Sequence, residues 1–160
     1  NTPVGQMKVL ETVTGKDGKF TFPAWGPEPR KQGYLRNRDP QLLLFKPGYE
    51  YKRLANHVSS KPNMASLRRS EWNGKTIEMK PFRGTGEEYA KHLSFLHTSI
   101  RSILDDCNWK KIPRLLLALK EQKNAFKKHN VSYSLYAADY IPTNEKECGS
   151  PEEFFKSYRP

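Results

Sequence analysis

Apolar residues are scarce in this chain. They make up 36% of its 160 residues, and the mean hydropathy is -0.85. Both values are low for a domain that stabilises itself by its core alone. No stretch approaches the roughly 20 consecutive apolar residues of a membrane-spanning helix, so a helical transmembrane protein is excluded. Cysteine is nearly absent. Cys107 and Cys148 are the two present and lie far apart, which leaves neither CxxC redox chemistry nor a zinc knuckle. No Gly-x-Ser-x-Gly, HExxH or P-loop pattern occurs. The four histidines are His57, His92, His97 and His129. His92 and His97 are five apart, on different faces of a helix, and cannot chelate one metal as an i,i+4 pair would. The close carboxylate pairs are Glu87/Glu88, Asp105/Asp106 and Glu152/Glu153, and the first and last stand at expected helix N-termini, where negative charge is structural. No nucleophile, base and orienting group assemble. The sequence therefore points to a protein that is not an enzyme, with no metal and no cofactor.

Aromatic residues and positive charge are plentiful. Eight Tyr, eight Phe and three Trp make 12% of the chain, more than a disordered sequence carries. Lys and Arg number 28 against 17 Asp and Glu, a net charge of +11. The excess is spread out, with its maximum around Lys52, Arg53, Lys61, Arg68 and Arg69. A solvated surface accounts for such a distribution. A patch for phosphate, anionic lipid or an acidic protein is the sharper alternative.

The first half of the chain alternates with a period of two. Residues 4–13 read as a strand, Gly15, Lys16, Asp17 and Gly18 as a turn, and residues 19–22 as a second strand with Phe20 and Phe22 on one side. Pro23 ends that run, since proline cannot donate to a ladder. Residues 24–40 hold proline and glycine among aromatic and basic residues and read as a long loop. A strand is expected over 41–46, a type II turn at Pro47-Gly48, and further strands over 49–54 and 75–80, the last closed by Pro81.

Past Pro81 the period becomes helical. Thr85 and Glu88 form a capping box, and Tyr89, Leu93, Leu96, Ile100, Ile103 and Cys107 place one apolar face on a helix over about 86–106. Pro113 opens a second helix, with Leu115, Leu116, Leu119 and Phe126 inward. Lys127, Lys128 and His129 stand at its negative end, and Asn130 at a left-handed C-terminal position. Ser150, Pro151, Glu152 and Glu153 spell another capping box before a short helix through Phe154 and Phe155. Strands first and helices afterwards predict an α+β layout.

Residues 12–22, followed by Lys46-Pro47-Gly48-Tyr49, resemble the hairpin and the Lys-Pro-Gly-Tyr element of carboxypeptidase regulatory-like domains. Thr76 to Pro81 with Phe82 is similar to the last strand of that family. Pro23-Ala24-Trp25-Gly26 and the 87–148 region also look like exported proteobacterial proteins of this type, in which a Cys-bearing helical tail follows the domain. The resemblance implies a transthyretin-like antiparallel β-sandwich over 1–82 with a helical C-terminal extension over 83–160 packed on it. It also implies an export signal and a non-catalytic module. Gly15 stands where the family usually has Asp, and the family's first strands would precede Asn1. Either those strands lie upstream, or a partner chain pairs along residues 4–13 or 42–46, because an unpaired edge invites strand addition.

A bridge between Cys107 and Cys148 would close a loop of about 42 residues and stabilise by up to ~4 kcal/mol in the chain-entropy model. Two buried thiols are the alternative. The low apolar fraction and the expected export favour the bridge and a periplasmic or otherwise exported location. Trp25, Tyr34 and Trp72 lie in basic loops with Arg30, Arg36, Arg38, Arg68 and Arg69, the residue types of a binding hot spot. Loops also use such residues to pin themselves down. The functional expectation is a non-catalytic accessory subunit in contact with another protein or envelope component, with the basic surface facing an acidic partner. A nucleic-acid- or polyanion-binding module is the alternative.

Overall fold

The computed structural model describes residues 8–24, 40–56, 70–104, 107–129, 131 and 145–158. Two short strands, β1 (Gln41–Leu44) and β2 (Lys52–Ala55), pair antiparallel with Gln41 opposite Ala55 and Leu44 opposite Lys52. The helices are α1 (Gly86–Leu104), α2 (Pro113–Lys128), α3 (Glu145–Cys148) and α4 (Pro151–Lys156), with a 3-10 turn, Asn108–Lys111, leading into α2. The described residues divide into two units. Residue 24 with 40–56 and 70–82 forms one; residues 8–23 and those from 83 onward form the other.

In the first unit, the Lys46 carbonyl accepts from the Tyr49 amide at 3.1 Å and Gly48 has φ +78°, the geometry that a type II turn demands of its third residue. Tyr49 then faces Pro81 in an isolated antiparallel bridge, flanked by Glu50 N to Lys80 O at 2.9 Å and Phe82 N to Gly48 O at 2.9 Å. In this arrangement the bridged pair exchanges no hydrogen bond of its own, so the missing proline amide leaves no gap.

The transthyretin-like β-sandwich is not formed: among the described residues the sheet has two strands. Residues 8–13 and 19–22 carry no strand. Gly15, Lys16, Asp17 and Gly18 do turn, with Gly15 N to Lys19 O at 2.8 Å and Gly18 N to Gly15 O at 3.0 Å, but no ladder grows from the turn. Phe20 and Phe22 share a face as alternation requires and pack edge to face on each other at 5.9 Å. Residues 75–80 carry no strand; Lys80 O accepts from the Glu50 amide beside the isolated bridge at Tyr49. The physical reason lies in burial. Every fully buried described residue falls between Tyr89 and Phe155, and none belongs to the strands. A sandwich needs two apolar inner faces; Leu42, Leu43, Leu44, Ile77 and Met79 are only half-buried. Of the edge at residues 4–13 considered for strand addition, residues 8–13 form no strand, and residues 4–7 lie outside the described residues.

The helical unit holds the core. The capping box at its start is reciprocal: the Thr85 amide donates to Glu88 Oε2 at 2.7 Å and the Glu88 amide donates to Thr85 Oγ1 at 3.2 Å. Tyr89, Ala90, Leu93, Leu96, Ile100 and Leu104 are buried along α1, and Leu116, Leu119 and Phe126 along α2. The buried line thus ends on Leu104, with Ile103 and Cys107 half-exposed. Tyr89 meets Phe126 edge to face at 5.8 Å. α2 begins with proline, as its position requires. Its C-terminal cap is His129, whose amide donates to Ala125 O at 3.2 Å; Asn130 lies outside the described residues. At α4 the expected capping box is absent: Ser150 is the N-cap in extended conformation but its side chain makes no cap bond. Among the described residues, no helix is long and apolar enough to cross a membrane.

Candidate interaction surface

Of the aromatic and basic loop residues singled out above, Trp72 is described; Trp25, Arg30, Tyr34, Arg36, Arg38, Arg68 and Arg69 lie outside the described residues. Trp72 pins its own loop. Its indole Nε1 donates to Ala55 O at 2.9 Å, at the end of β2. Asn56 Oδ1 accepts from both Ser70 Oγ at 2.7 Å and the Trp72 amide at 3.4 Å. The Lys75 ammonium stands 5.8 Å from the ring centroid. Near the expected maximum of charge, Arg53 is exposed and its Nε donates to Gln41 Oε1 at 2.6 Å, while Lys61, Arg68 and Arg69 lie outside the described residues. His92 stacks on Tyr89 at 6.4 Å, His129 caps α2, the His97 side chain and His57 are outside the description. Among the described residues no group of three His, Cys, Asp or Glu is placed to hold a metal ion.

Several ties meet at the corner after α1. Cys107 and Cys148 are bonded, with Cα atoms 5.3 Å apart. Cys107 adopts φ +59°, a left-handed conformation unusual for a residue with a Cβ. The chain then turns into Asn108–Lys111, which sends Trp109 fully inside. Phe154 meets the Trp109 ring edge to face at 5.2 Å, Phe155 lies tilted at 5.8 Å, and Tyr158 covers Phe154 at 5.2 Å. The Lys110 ammonium lies 5.5 Å from the Trp109 ring and 5.6 Å from that of Phe154, within cation–π range. Trp109 Nε1 is buried with no hydrogen-bond partner among the described residues. Sequence reasoning missed Trp109; its place two residues after a bridging cysteine was the available signal.

α2 carries the second feature. Arg114, Lys120, Lys127 and Lys128 are exposed on it, with Glu121 as the helix's sole acid. None of the four cations has a carboxylate partner among the described residues. Lys120, Lys123 and Lys127 follow one another at steps of three and four, so they share a face. Burial, and then the charge of Lys127, hold the Lys123 ammonium below the usual lysine range. The N-terminus of α2 is closed from a distance. Its N-cap, Ile112, has no side-chain acceptor, and Pro113 has no amide. Glu11 supplies the carboxylate instead, accepting from the Arg114 amide at 3.0 Å and the Leu115 amide at 2.8 Å.

Comparison with protein-family models, curated proteins and solved structures finds no match, so the likeness to carboxypeptidase regulatory-like domains has no counterpart there.

Proposed function

We propose that this protein is an exported, non-catalytic accessory subunit that works by contact with an acidic protein partner of the cell envelope. The observation that carries the reading is the outer face of α2, where Arg114, Lys120, Lys127 and Lys128 are exposed without carboxylate partners among the described residues. Unpaired surface cations raise encounter rates with an acidic surface and set its orientation more than they add raw affinity. The bonded Cys107 and Cys148 support the oxidising compartment. Trp72 drops out of the contact surface in this reading, because its polar groups are spent on its own loop.

A photo-crosslinking residue at Asn124, exposed between Lys120 and Lys127, tests this in native cells. The expected result is one envelope protein captured with an acidic surface, and its loss in the Lys120→Glu, Lys127→Glu, Lys128→Glu variant. Capture absent from the envelope fraction would overturn it. So would tight binding to duplex DNA that falls steeply with salt, the mark of phosphate contacts releasing counterions, which would establish a nucleic-acid-binding module instead.

A further inference from the structure

Asparagine followed by glycine is a chemically labile pair, and it occurs once in this sequence, at Asn73-Gly74. The amide nitrogen of the second residue is a nucleophile within reach of the asparagine carboxamide carbon. Glycine shields that nitrogen least, because it has no Cβ. The pair occupies the middle of a turn in which Trp72 O accepts from the Lys75 amide at 3.1 Å and Gly74 has φ +70°. Asn73 and Gly74 are both exposed, and a Cβ built on Gly74 would meet no atom within 4 Å. Among the described residues neither the Asn73 carboxamide nor the Gly74 amide has a hydrogen-bond partner. Ring closure between them requires the Asn73-Gly74 unit to rotate out of the turn. The turn's hydrogen bond opposes that rotation, and glycine permits it.

The other described asparagines are placed differently. Asn56 Oδ1 is held by the Ser70 hydroxyl and the Trp72 amide. Asn108 is buried, and its Oδ1 accepts from Lys111 Nζ at 2.7 Å. Asn124 is exposed but lies inside α2 and precedes Ala125, so the helix fixes its backbone. The related Asp17-Gly18 pair is engaged on both sides. Asp17 Oδ1 accepts from the Lys19 amide at 3.0 Å, and the Gly18 amide donates to Gly15 O at 3.0 Å. Among the described asparagines, exposure, a following glycine and unengaged reacting groups therefore coincide at Asn73 alone.

We propose that Asn73 is a self-modification site, which deamidates through a cyclic imide with Gly74 and with water as the only co-reactant. A solvent base takes the Gly74 amide proton, and the nitrogen attacks Asn73 Cγ. The new N–Cγ bond forms, the bond from Cγ to Nδ2 breaks, and Nδ2 leaves as ammonia, taking up a proton. Holding nucleophile and electrophile in one short ring makes the step unimolecular. Water then opens the ring at either carbonyl. Opening at Cγ leaves aspartate at position 73; opening at the main-chain carbonyl leaves isoaspartate, with the backbone running through Cγ. The sum is carboxamide plus water giving carboxylate plus ammonium, with no change of oxidation state. Either product lowers the net charge of +11 by one and sets a carboxylate in the loop of Lys75. Isoaspartate also adds one backbone carbon between Trp72 O and the Lys75 amide, which close the turn. The proposal does not rest on the partner of α2.

The test incubates the full folded chain in mildly alkaline buffer made with heavy-oxygen water, for as long as the urea-unfolded chain needs to convert. Peptide mapping by mass spectrometry then reads each asparagine. Asn73 is expected to show the mass shift of carboxamide to carboxylate before Asn56, Asn108 and Asn124 do. Both aspartate and isoaspartate should appear there, each carrying one heavy oxygen. Asn73→Gln, which would have to close a larger ring, should lose this conversion while its circular dichroism spectrum stays that of the parent. Retention of Asn73 in the folded protein would overturn the proposal, because the turn would then protect the pair. Conversion of Asn56, Asn108 or Asn124 ahead of Asn73 would also overturn it. Aspartate without isoaspartate would mean direct hydrolysis by water and would refute the ring-closing route.

Discussion

Glu11 is the residue whose removal tests most directly how the helical unit is held together. α2 starts with Ile112 and Pro113, which supply neither a side-chain acceptor nor a first amide. The next two amides, of Arg114 and Leu115, both donate to the Glu11 carboxylate, at 3.0 and 2.8 Å. Glu11→Ala removes a cap, commonly about 1 kcal/mol, and an anion at the positive end of the helix dipole, another ~0.3–1 kcal/mol. The site is partly solvated, so a total of about 1–2 kcal/mol follows rather than the full strength of two charge-assisted bonds. For a chain of this size that lowers the melting temperature by ~3–6 °C. Glu11→Gln keeps one acceptor, loses the charge and turns a donor toward one amide, so it should recover less than half. Urea denaturation followed by circular dichroism gives the free energy, and amide exchange at Arg114 and Leu115 localises it. A Glu11→Ala protein within ~0.3 kcal/mol of the parent, with unchanged exchange at those two amides, would refute the reasoning.

Trp109→Ala should cost about 3–5 kcal/mol through the cavity it leaves. Trp109→Phe should cost markedly less, because it also deletes a buried donor that has no partner among the described residues; equal costs in chemical denaturation would contradict this. Trp72→Phe should lose the bond to Ala55 O, at about 0.5–1.5 kcal/mol, yet leave the Asn124 crosslink intact, and loss of the crosslink would return Trp72 to the binding surface. Lys123 should titrate below its ordinary 10.5. In the window between its lowered folded value and 10.5 the unfolded state binds more protons, so stability rises with pH there; below the window both states are charged and the penalty is complete. Lys127→Gln should move the Lys123 titration, followed by NMR, upward but not to the ordinary value, because burial is the larger cause, and no movement would sink the account. Backbone amides of residues 40–56 and 70–82, which contribute no fully buried side chain, should exchange far faster than those of α1 and α2, and comparable protection would show a core that the burial pattern lacks.

Local signals with a short range were legible in the sequence. The Thr85/Glu88 box needs only three residues of spacing and a helix to follow, and both hydrogen bonds are made. Pro47-Gly48 needs only the positive φ that glycine supplies, and Gly48 has it. The helix faces followed from the change of period, with three departures: Leu104 is buried where Ile103 was expected, Cys107 lies past the helix end, and Leu115 is half-buried. Alternation at residues 19–22 and 75–80 was equally clear as a pattern, but a pattern of period two states only that side chains share a face. Whether a ladder forms depends on a partner strand and a buried face to pay for ordering it. Phe20 and Phe22 pack on each other instead, and among the described residues the buried apolar side chains lie between Tyr89 and Phe155, most of them on α1 and α2.

The features that organise the candidate surfaces are long-range, and that is why the sequence concealed them. Glu11 reads as one acidic residue in an alternating run; its role appears only when it meets amides 103 and 104 residues further on. Ile112 was the available hint, since an apolar N-cap before Pro113 leaves first-turn amides that something else must satisfy. Trp109 is similar. In sequence it is a tryptophan between an asparagine and two lysines, as polar a setting as that of Trp72. The difference is made by the bridge to Cys148, which brings Phe154 and Phe155 over the ring, whereas the described partners of Trp72 are Ala55 O, Asn56 and Lys75, and it stays half-exposed. Two aromatic residues in basic surroundings thus reach opposite fates. The deciding quantity is how many apolar neighbours the covalent topology delivers, which composition alone does not encode.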